Sequence, residues 1–405
     1  MRAYFTVCNT SYLHKALSLA ESLYENTQYR LKVFLFEEGI PNSAESVKDF
    51  ADIILAKDIG YDRFYELAFK YDVTEFTTSL KPYIAKKLLN DFTEVVFLDP
   101  DTFVTGQLNE ISEWFVHNDI ILTPHYCTPE TTDVSIDPDL GMMRFGSFNL
   151  GFFAVKNTPN SSNFLMWWHE RCEEQCYFET QFGLSTDQKW ISIAPCFFEK
   201  IYIVRHLGYN VAFWNLFERK IKSDHNKHLV NDEYEIQFLH FSSFDDIHPE
   251  KISTRWTAPS ELISDDMKGI AANYKMSTEK YRNFLAISDL SYSYDSFTNG
   301  DKIAVVLRRA YAADVNKFQG ELQMFSENSP VHKFARKNNL ISGKDGSSYK
   351  PASFGDLPKH ETKMKFVYFV LKIMLFFLGP NKFNDLSRLM VFLSSYRRLS
   401  KMWRV

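Results

Sequence analysis

A chain of 405 residues with 45% hydrophobic and 24% charged side chains has the composition of a globular protein, with room for a large core and more than one domain. A formal net charge of −5 excludes a general nucleic-acid binder, which needs a basic surface to displace counterions from phosphate. Five cysteines, an odd number without framework spacing, suit a reducing compartment and exclude a disulfide scaffold.

Met1-Arg2 leads directly into the apolar run Ala3-Tyr4-Phe5-Thr6-Val7 without a leader pattern, so a cytoplasmic location is expected. The pattern predicts a strand over Ala3–Cys8 and then a helix from about Ser11 to Tyr24. Its buried stripe is Leu13, Ala16, Leu17, Ala20, Leu23 and Tyr24, and Thr10 or Ser11 is the expected cap. Strands follow at Leu31–Phe36 and Ile53–Ala56, then a helix around Lys81–Leu89. Alternation of this kind implies an α/β fold with a sheet flanked by helices, in which ligands bind beyond the carboxyl ends of the strands. Asn9 stands at the first such end. No Gly-x-Gly-x-x-Gly follows the first strand and no Gly-Lys-Ser/Thr occurs, so dinucleotide and P-loop chemistry lack their main support.

The next strand carries the most informative segment, Glu94-Val95-Val96-Phe97-Leu98-Asp99-Pro100-Asp101-Thr102-Phe103-Val104. Val95 to Leu98 reads as a strand buried on both faces. Residues i and i+2 of an extended chain point the same way, so Asp99 and Asp101 can both turn toward one cation or one diphosphate. Pro100 keeps Asp99 out of the helical region, and carboxylates are natural ligands of Mg²⁺ or Mn²⁺. A plain Asp-Pro-Asp turn is the bland alternative.

Further along, strands are expected at Ile120–Thr123 and Phe148–Val155, an aromatic helix near Phe164–Tyr177, a helix start near Thr186 and a strand over Glu235–Phe241. Cys172 and Cys176 share one apolar helix face with Phe164 and Trp168, which makes them core thiols before metal ligands. Three segments carry polar groups suited to a site. Phe148-Asn149-Leu150-Gly151 opens a strand, Ser185-Thr186-Asp187-Gln188 opens a helix, and His240 closes a strand.

In this order the segments resemble the retaining nucleotide-sugar glycosyltransferases of the GT-A fold, the group of glycogenin and the bacterial lipopolysaccharide glucosyl- and galactosyltransferases. The resemblance covers roughly residues 3 to 243 and implies a Rossmann-like mixed sheet flanked by helices. It implies Asp99, Asp101 and His240 as ligands of Mn²⁺ or Mg²⁺. Thr6, Val7, Asn9, Lys81 and Gly151 join the aspartates in contacting a nucleotide-sugar donor, UDP-linked in this group. Asn149 and Asp187 would hold sugar hydroxyls, and Gln188 would lie beneath the anomeric carbon. The family's Asp at the position of Asn9 is replaced. Its Gly and Lys-Pro-Trp after the histidine are absent, Ser242-Ser243-Phe244-Asp245-Asp246 standing there instead. Lys251 and Arg255 are the available cations for the diphosphate.

The expected activity is metal-dependent transfer of a hexose to a saccharide or lipid-linked saccharide, with retention, in cell-surface polysaccharide or lipopolysaccharide synthesis. Inverting transfer with Asp187 as base, and a non-catalytic sugar-binding protein of the same fold, are the alternatives.

The last residues differ from the rest. Residues 357 to 405 carry ten Lys/Arg against Glu361 and Asp385, a net of +8, which leaves −13 for residues 1 to 356. Phe366–Leu378 is apolar except for Lys372; as a helix it reaches about 20 Å, short of a hydrocarbon core of about 30 Å. An interfacial helix with basic flanks is expected, placing the protein on the cytoplasmic face of the inner membrane. A final helix packed on the protein's own core is the alternative. The expected organisation is a catalytic domain over residues 1–258, a mostly helical extension and linker over 259–356, and the basic, apolar tail over 357–405.

Overall fold

The computed structural model describes residues 1–129, 138–224, 227–255, 260–286, 292–313, 318, 323–342 and 361–395. Most of the expected linker Asn338–Asp356 lies outside these residues, as do the tail's Lys359, Arg397, Arg398, Lys401 and Arg404. The chain divides into two compact units, Met1–Tyr294 and Asp295–Val405.

The first unit is an α/β domain around a seven-stranded sheet. Its strands are β1 (Arg2–Cys8), β2 (Leu31–Leu35), β3 (Ala51–Leu55), β4 (Glu94–Leu98), β6 (Ile120–Pro124), β7 (Phe148–Lys156) and Ile201–Ile203; β5 (Thr102–Val104) lies outside it. The order is β3-β2-β1-β4-β7-β6 followed by Ile201–Ile203. All neighbours are parallel except β7, which runs antiparallel to both β4 and β6. The sheet is therefore mixed, flanked by helices, as the GT-A resemblance implies.

Burial explains the central strands. Val95, Val96, Phe97 and Leu98 are fully buried, and only Lys156 of β7 reaches partial exposure. Both strands are covered on two faces, the environment that selects continuous apolar runs. Phe97 stacks on Phe153 with ring centroids 5.3 Å apart, and Trp168 closes over Phe153 from the helix Pro159–Gln175. Cys172 and Cys176 are free and buried in this layer, as the helix face predicted.

Helix α1 (Thr10–Thr27) follows β1. Its cap is Asn9, not Thr10 or Ser11. The Ser11 hydroxyl donates to Asn9 Oδ1 at 2.9 Å, and the Thr10 N–H is satisfied by Glu37 Oε1 at 3.0 Å, so no capping hydroxyl is needed. The helix Asp265–Leu285 packs on α1 through Ser18 and Ser277, whose hydroxyls lie 2.7 Å apart.

The expected strand Glu235–Phe241 is two strands. Tyr234–Glu235 pairs with Lys227–Val230, whereas Phe238–His240 pairs antiparallel with β5. The chain changes partners at Ile236-Gln237, a switch that an apolar pattern does not encode.

The second unit is mainly helical, with helices Val305–Ala313, Pro330–Lys337 and Glu361–Leu393 and a short ladder of Lys302–Ile303 with Ile341–Ser342. The helical run of the tail is longer than the apolar stretch Phe366–Leu378 suggested. Gly379 breaks it with non-helical angles, and Pro380 restarts it, a residue suited to a first helical turn.

Candidate active site

Residues distant in sequence meet at the carboxyl ends of β1 and β4. After Leu98 the chain turns through Asp99-Pro100-Asp101, held by Thr102, whose N–H and hydroxyl both donate to the Asp99 carbonyl at 3.0 and 2.8 Å. β5 then pairs with Phe238–His240, with Thr102 opposite His240, and the Phe241 N–H donates to the Asp101 carbonyl at 2.8 Å. This register sets the imidazole beside the two carboxylates. His240 Nε2 lies 3.2 Å from Asp101 Oδ1 and 3.7 Å from Asp99 Oδ2. One ligand atom from each residue falls within 4.8 Å of the others.

Burial alone pushes the Asp101 carboxyl up, yet His240 beside it prevails and holds it at about 2. Burial likewise opposes charge on His240, but the carboxylates of Asp101 and Asp99 raise it above its ordinary value. Two carboxylates and an imidazole nitrogen form a donor set that fits a divalent cation.

The outer partner of His240 is Asn210, which is fully buried. Its Oδ1 lies 3.2 Å from His240 Nδ1 and can only accept, which assigns a proton to Nδ1 and leaves Nε2 as the nitrogen that faces the aspartates and would give up its proton to a cation. The same amide donates from Nδ2 to Asn149 Oδ1 at 3.0 Å. Asn210 thereby ties the metal-type ligand to the amide on β7. Replacing Asn210 with Leu is expected to lower Mn²⁺ affinity by about 10–100-fold, read by calorimetric titration, while Asn210→Asp, which keeps the acceptor oxygen, loses less.

Gly151 supplies space. A Cβ there would overlap the His240 ring and approach Asn149 Oδ1 to 2.7 Å. Its carbonyl accepts from the Asp99 N–H at 2.9 Å, so it fixes the aspartate turn through backbone alone.

Lys81, at the start of the helix Lys81–Leu88, is buried between two carboxylates. Its amine lies 3.1 Å from Asp99 Oδ1, 3.4 Å from Asp187 Oδ2 and 3.3 Å from the Leu150 carbonyl. Burial opposes its charge, but Asp187 and Asp99 hold its pKa above the ordinary lysine value. Asp187 is 2% exposed, and burial raises its carboxyl pKa in spite of Lys81. Asp187 is the N-cap residue of the helix Gln188–Ile191, but its side chain makes no capping bond; its Oδ1 accepts from the Thr186 hydroxyl at 3.0 Å, and its Oδ2 has no hydrogen bond. Gln188 is held at both ends, accepting from the Leu150 N–H and donating to the Phe145 carbonyl, each at 3.1 Å.

These groups surround a cavity of about 680 Å³. Val7, Asn9, Lys81, Asp99, Asp101, Asn149, Gln188 and His240 line it; Thr6, Gly151 and Asp187 lie behind the lining. Of the two cations available to a diphosphate, Arg255 lines the cavity and Lys251 does not. Other walls went unread in the sequence. Thr74, Thr77 and Thr78 come from the short helix Val73–Ser79, His125 from the bend after β6, and Trp214 from the 3-10 turn Phe213–Asn215. Burial drives the His125 imidazole down to about 4, so it stays neutral near pH 7, and its Nδ1 has no hydrogen-bond partner.

No family model matches the chain. It is 22% identical over 301 residues to the uncharacterized protein YfnF of Bacillus subtilis (strain 168), covering 71% of this chain and 98% of that one. It is 29% identical over 115 residues to the uncharacterized protein YfnD of the same organism, covering 28% of this chain and 37% of that one. Similar solved structures include the galactosyltransferase LgtC in complex with donor and acceptor sugar analogs, at 12% identity and a TM-score of 0.40, covering 72% of this chain and 98% of that one. The glycosyltransferase GlyE of Streptococcus pneumoniae TIGR4 matches at 14% identity and a TM-score of 0.39, covering 73% and 67%. Mouse xyloside xylosyltransferase 1 matches at 12% identity and a TM-score of 0.38, covering 59% and 97%. Likeness at these scores carries no activity across.

Proposed function

We propose that this protein is a metal-dependent glycosyltransferase. In this reading it moves a hexose from a nucleotide sugar, UDP-linked by the resemblance, to a saccharide or lipid-linked saccharide, in cell-surface polysaccharide or lipopolysaccharide synthesis. One observation carries the reading: Asp99, Asp101 and His240 bring their ligand atoms within 4.8 Å in a cavity that Asn149 and Gln188 also line. A divalent cation held there supplies Lewis-acid neutralisation of the charge on a departing diphosphate. The mixed oxygen and imidazole donor set suits Mn²⁺ better than Mg²⁺, which keeps to oxygen.

The remaining chemistry belongs to the chain. Asn149 has its Oδ1 engaged by Asn210 and by the Gly151 N–H, which orients its Nδ2 for a sugar hydroxyl. Gln188, fixed at both ends, presents an amide, a poor nucleophile. With Asp99 and Asp101 assigned to the cation, Asp187 is the carboxylate left to form a covalent intermediate or act as a base, and it is buried against Lys81 and does not line the cavity. That placement favours attack by the acceptor on the face the diphosphate leaves, with retention, over inversion with Asp187 as base. Determining the anomeric configuration of the product by NMR tests this; inversion relative to the donor would overturn it.

Arg255 is the cation this reading assigns to the diphosphate. Arg255→Ala is expected to raise KM for the donor by about 10-fold or more, the loss of one charge-assisted hydrogen bond, while Lys251→Ala leaves KM unchanged. Peripheral attachment to the cytoplasmic face of the inner membrane completes the proposal. The net charge of +8 over residues 357 to 405 supports it, as does an apolar helical run, Met364–Leu393, with none of its length buried.

A further inference from the structure

The chemistry proposed above leaves His125 without a task, although its ring lines the cavity. The chain holds this residue firmly. The register of β6 on β7 shifts between Leu122 and Pro124, and the chain bends at His125. There the His125 N–H donates to the Ser147 carbonyl at 3.1 Å. The His125 carbonyl accepts from Trp214 Nε1 and from Asn215 Nδ2, each at 3.0 Å. The ring meets that of Trp214 edge-on, with centroids 5.7 Å apart.

The ring nitrogens are far less well served. Nδ1 is buried with no hydrogen-bond partner. Among the described residues, Nε2 has one polar neighbour, Asn149 Nδ2 at 3.5 Å, the outer limit of a hydrogen bond. The Gly151 N–H donates to Asn149 Oδ1, which fixes the orientation of the amide and leaves Nδ2 on the His125 side. Nδ2 can only donate, so the lone pair of the neutral imidazole belongs to Nε2. On its other side Nδ2 stands 3.5 Å from Gln188 Oε1, which already takes the Leu150 N–H. A donor and an acceptor thus face each other at the cavity wall, matched in kind and too far apart to satisfy each other. Buried polar groups left in this state cost stability and call for a reason.

A hydroxyl supplies the missing bonds, since its oxygen accepts from Asn149 Nδ2 while its proton goes to His125 Nε2. A carboxylate has no proton to give Nε2, and an ammonium has no lone pair for Nδ2. We infer that His125 and Asn149 together read one hydroxyl of the donor hexose, with His125 accepting its proton. This rests on the glycosyltransferase reading and narrows the donor to a hexose that carries a free hydroxyl on the side of β6 and β7.

The test uses the full chain in Mn²⁺ with UDP, UDP-glucose, UDP-galactose and the 2-, 3-, 4- and 6-deoxy forms of both sugars. His125→Phe keeps a ring against Trp214 and removes both nitrogens, whereas His125→Gln keeps an acceptor. His125→Phe is expected to bind UDP as wild type does, by calorimetric titration. It is expected to lower kcat/KM for the better hexose donor by about 10-fold, the worth of one hydrogen bond whose partner is left unpaired. His125→Gln is expected to recover part of that loss. One deoxy form is expected to be equally poor for wild type and to lose nothing more in His125→Phe. Equal weakening of UDP and UDP-hexose binding in His125→Phe would overturn the inference in favour of a structural role. So would an unchanged kcat/KM, or a loss that persists undiminished with every deoxy form. Failure of the wild type to bind UDP and turn over either hexose donor would instead overturn the UDP-hexose reading beneath it.

Discussion

Asp101→Ala is expected to lower metal-dependent turnover of the nucleotide sugar by about 10²–10³-fold, the usual cost of removing a group that supports developing negative charge. Of the two carboxylates proposed to hold the cation, Asp101 is the more deeply buried. It is 7% exposed, its backbone carbonyl takes the Phe241 N–H, and its carboxylate faces His240 at 3.2 Å. The loss should appear in two independent measurements. Calorimetric titration should show weakened Mn²⁺ binding, and steady-state assays should show a fall in kcat that extra metal restores only in part. The fold should survive, since β4 and β5 are held by their own ladders and Ala adds no bulk. Turnover equal to wild type and indifferent to metal would remove Asp101 from the mechanism.

Lys81→Met is expected to have the largest effect on stability. Lys81 is 3% exposed and faces Asp99 and Asp187, and its removal leaves the buried Asp187 without a counter-charge. Breaking a buried pair on one side costs about 3–5 kcal/mol, because the remaining charge stays out of water. Thermal or denaturant unfolding reads this directly. Adding Asp187→Asn to Lys81→Met should recover much of the stability, since the stranded charge is then gone. Activity should not return with it, because Lys81, which lines the cavity beside Asp99, is still absent. If Lys81→Met alone unfolds like wild type, the lysine is not the partner that the geometry makes it.

The parts of the site that are local in the chain were legible in the sequence. Val95 to Leu98 announces a strand buried on both faces, and the Asp-Pro-Asp that follows is fixed by proline geometry within three residues. The direction of β7 was not legible from its residues alone, because an all-apolar strand reads the same parallel or antiparallel. His240 was visible as a residue, but its place beside Asp101 depends on the antiparallel register of β5 with Phe238–His240, and registers between distant strands leave no local mark. Asn210 had no signal beyond a polar residue after Gly208-Tyr209, in a loop where its φ is 55°. Its importance comes entirely from standing between His240 and Asn149. The threonine wall of Val73–Ser79 was missed for a related reason, since a two-turn helix rich in Thr shows too little periodicity to be read.

The most direct test of the central claim is release of nucleoside diphosphate from a panel of nucleotide sugars by the purified full chain, in Mn²⁺ and in EDTA. Release from at least one UDP-hexose is predicted, stopping on chelation and returning when Mn²⁺ is restored. Release at the same rate in EDTA, or no release and no calorimetric binding for any nucleotide sugar in the presence of Mn²⁺, would contradict a metal-dependent glycosyltransferase.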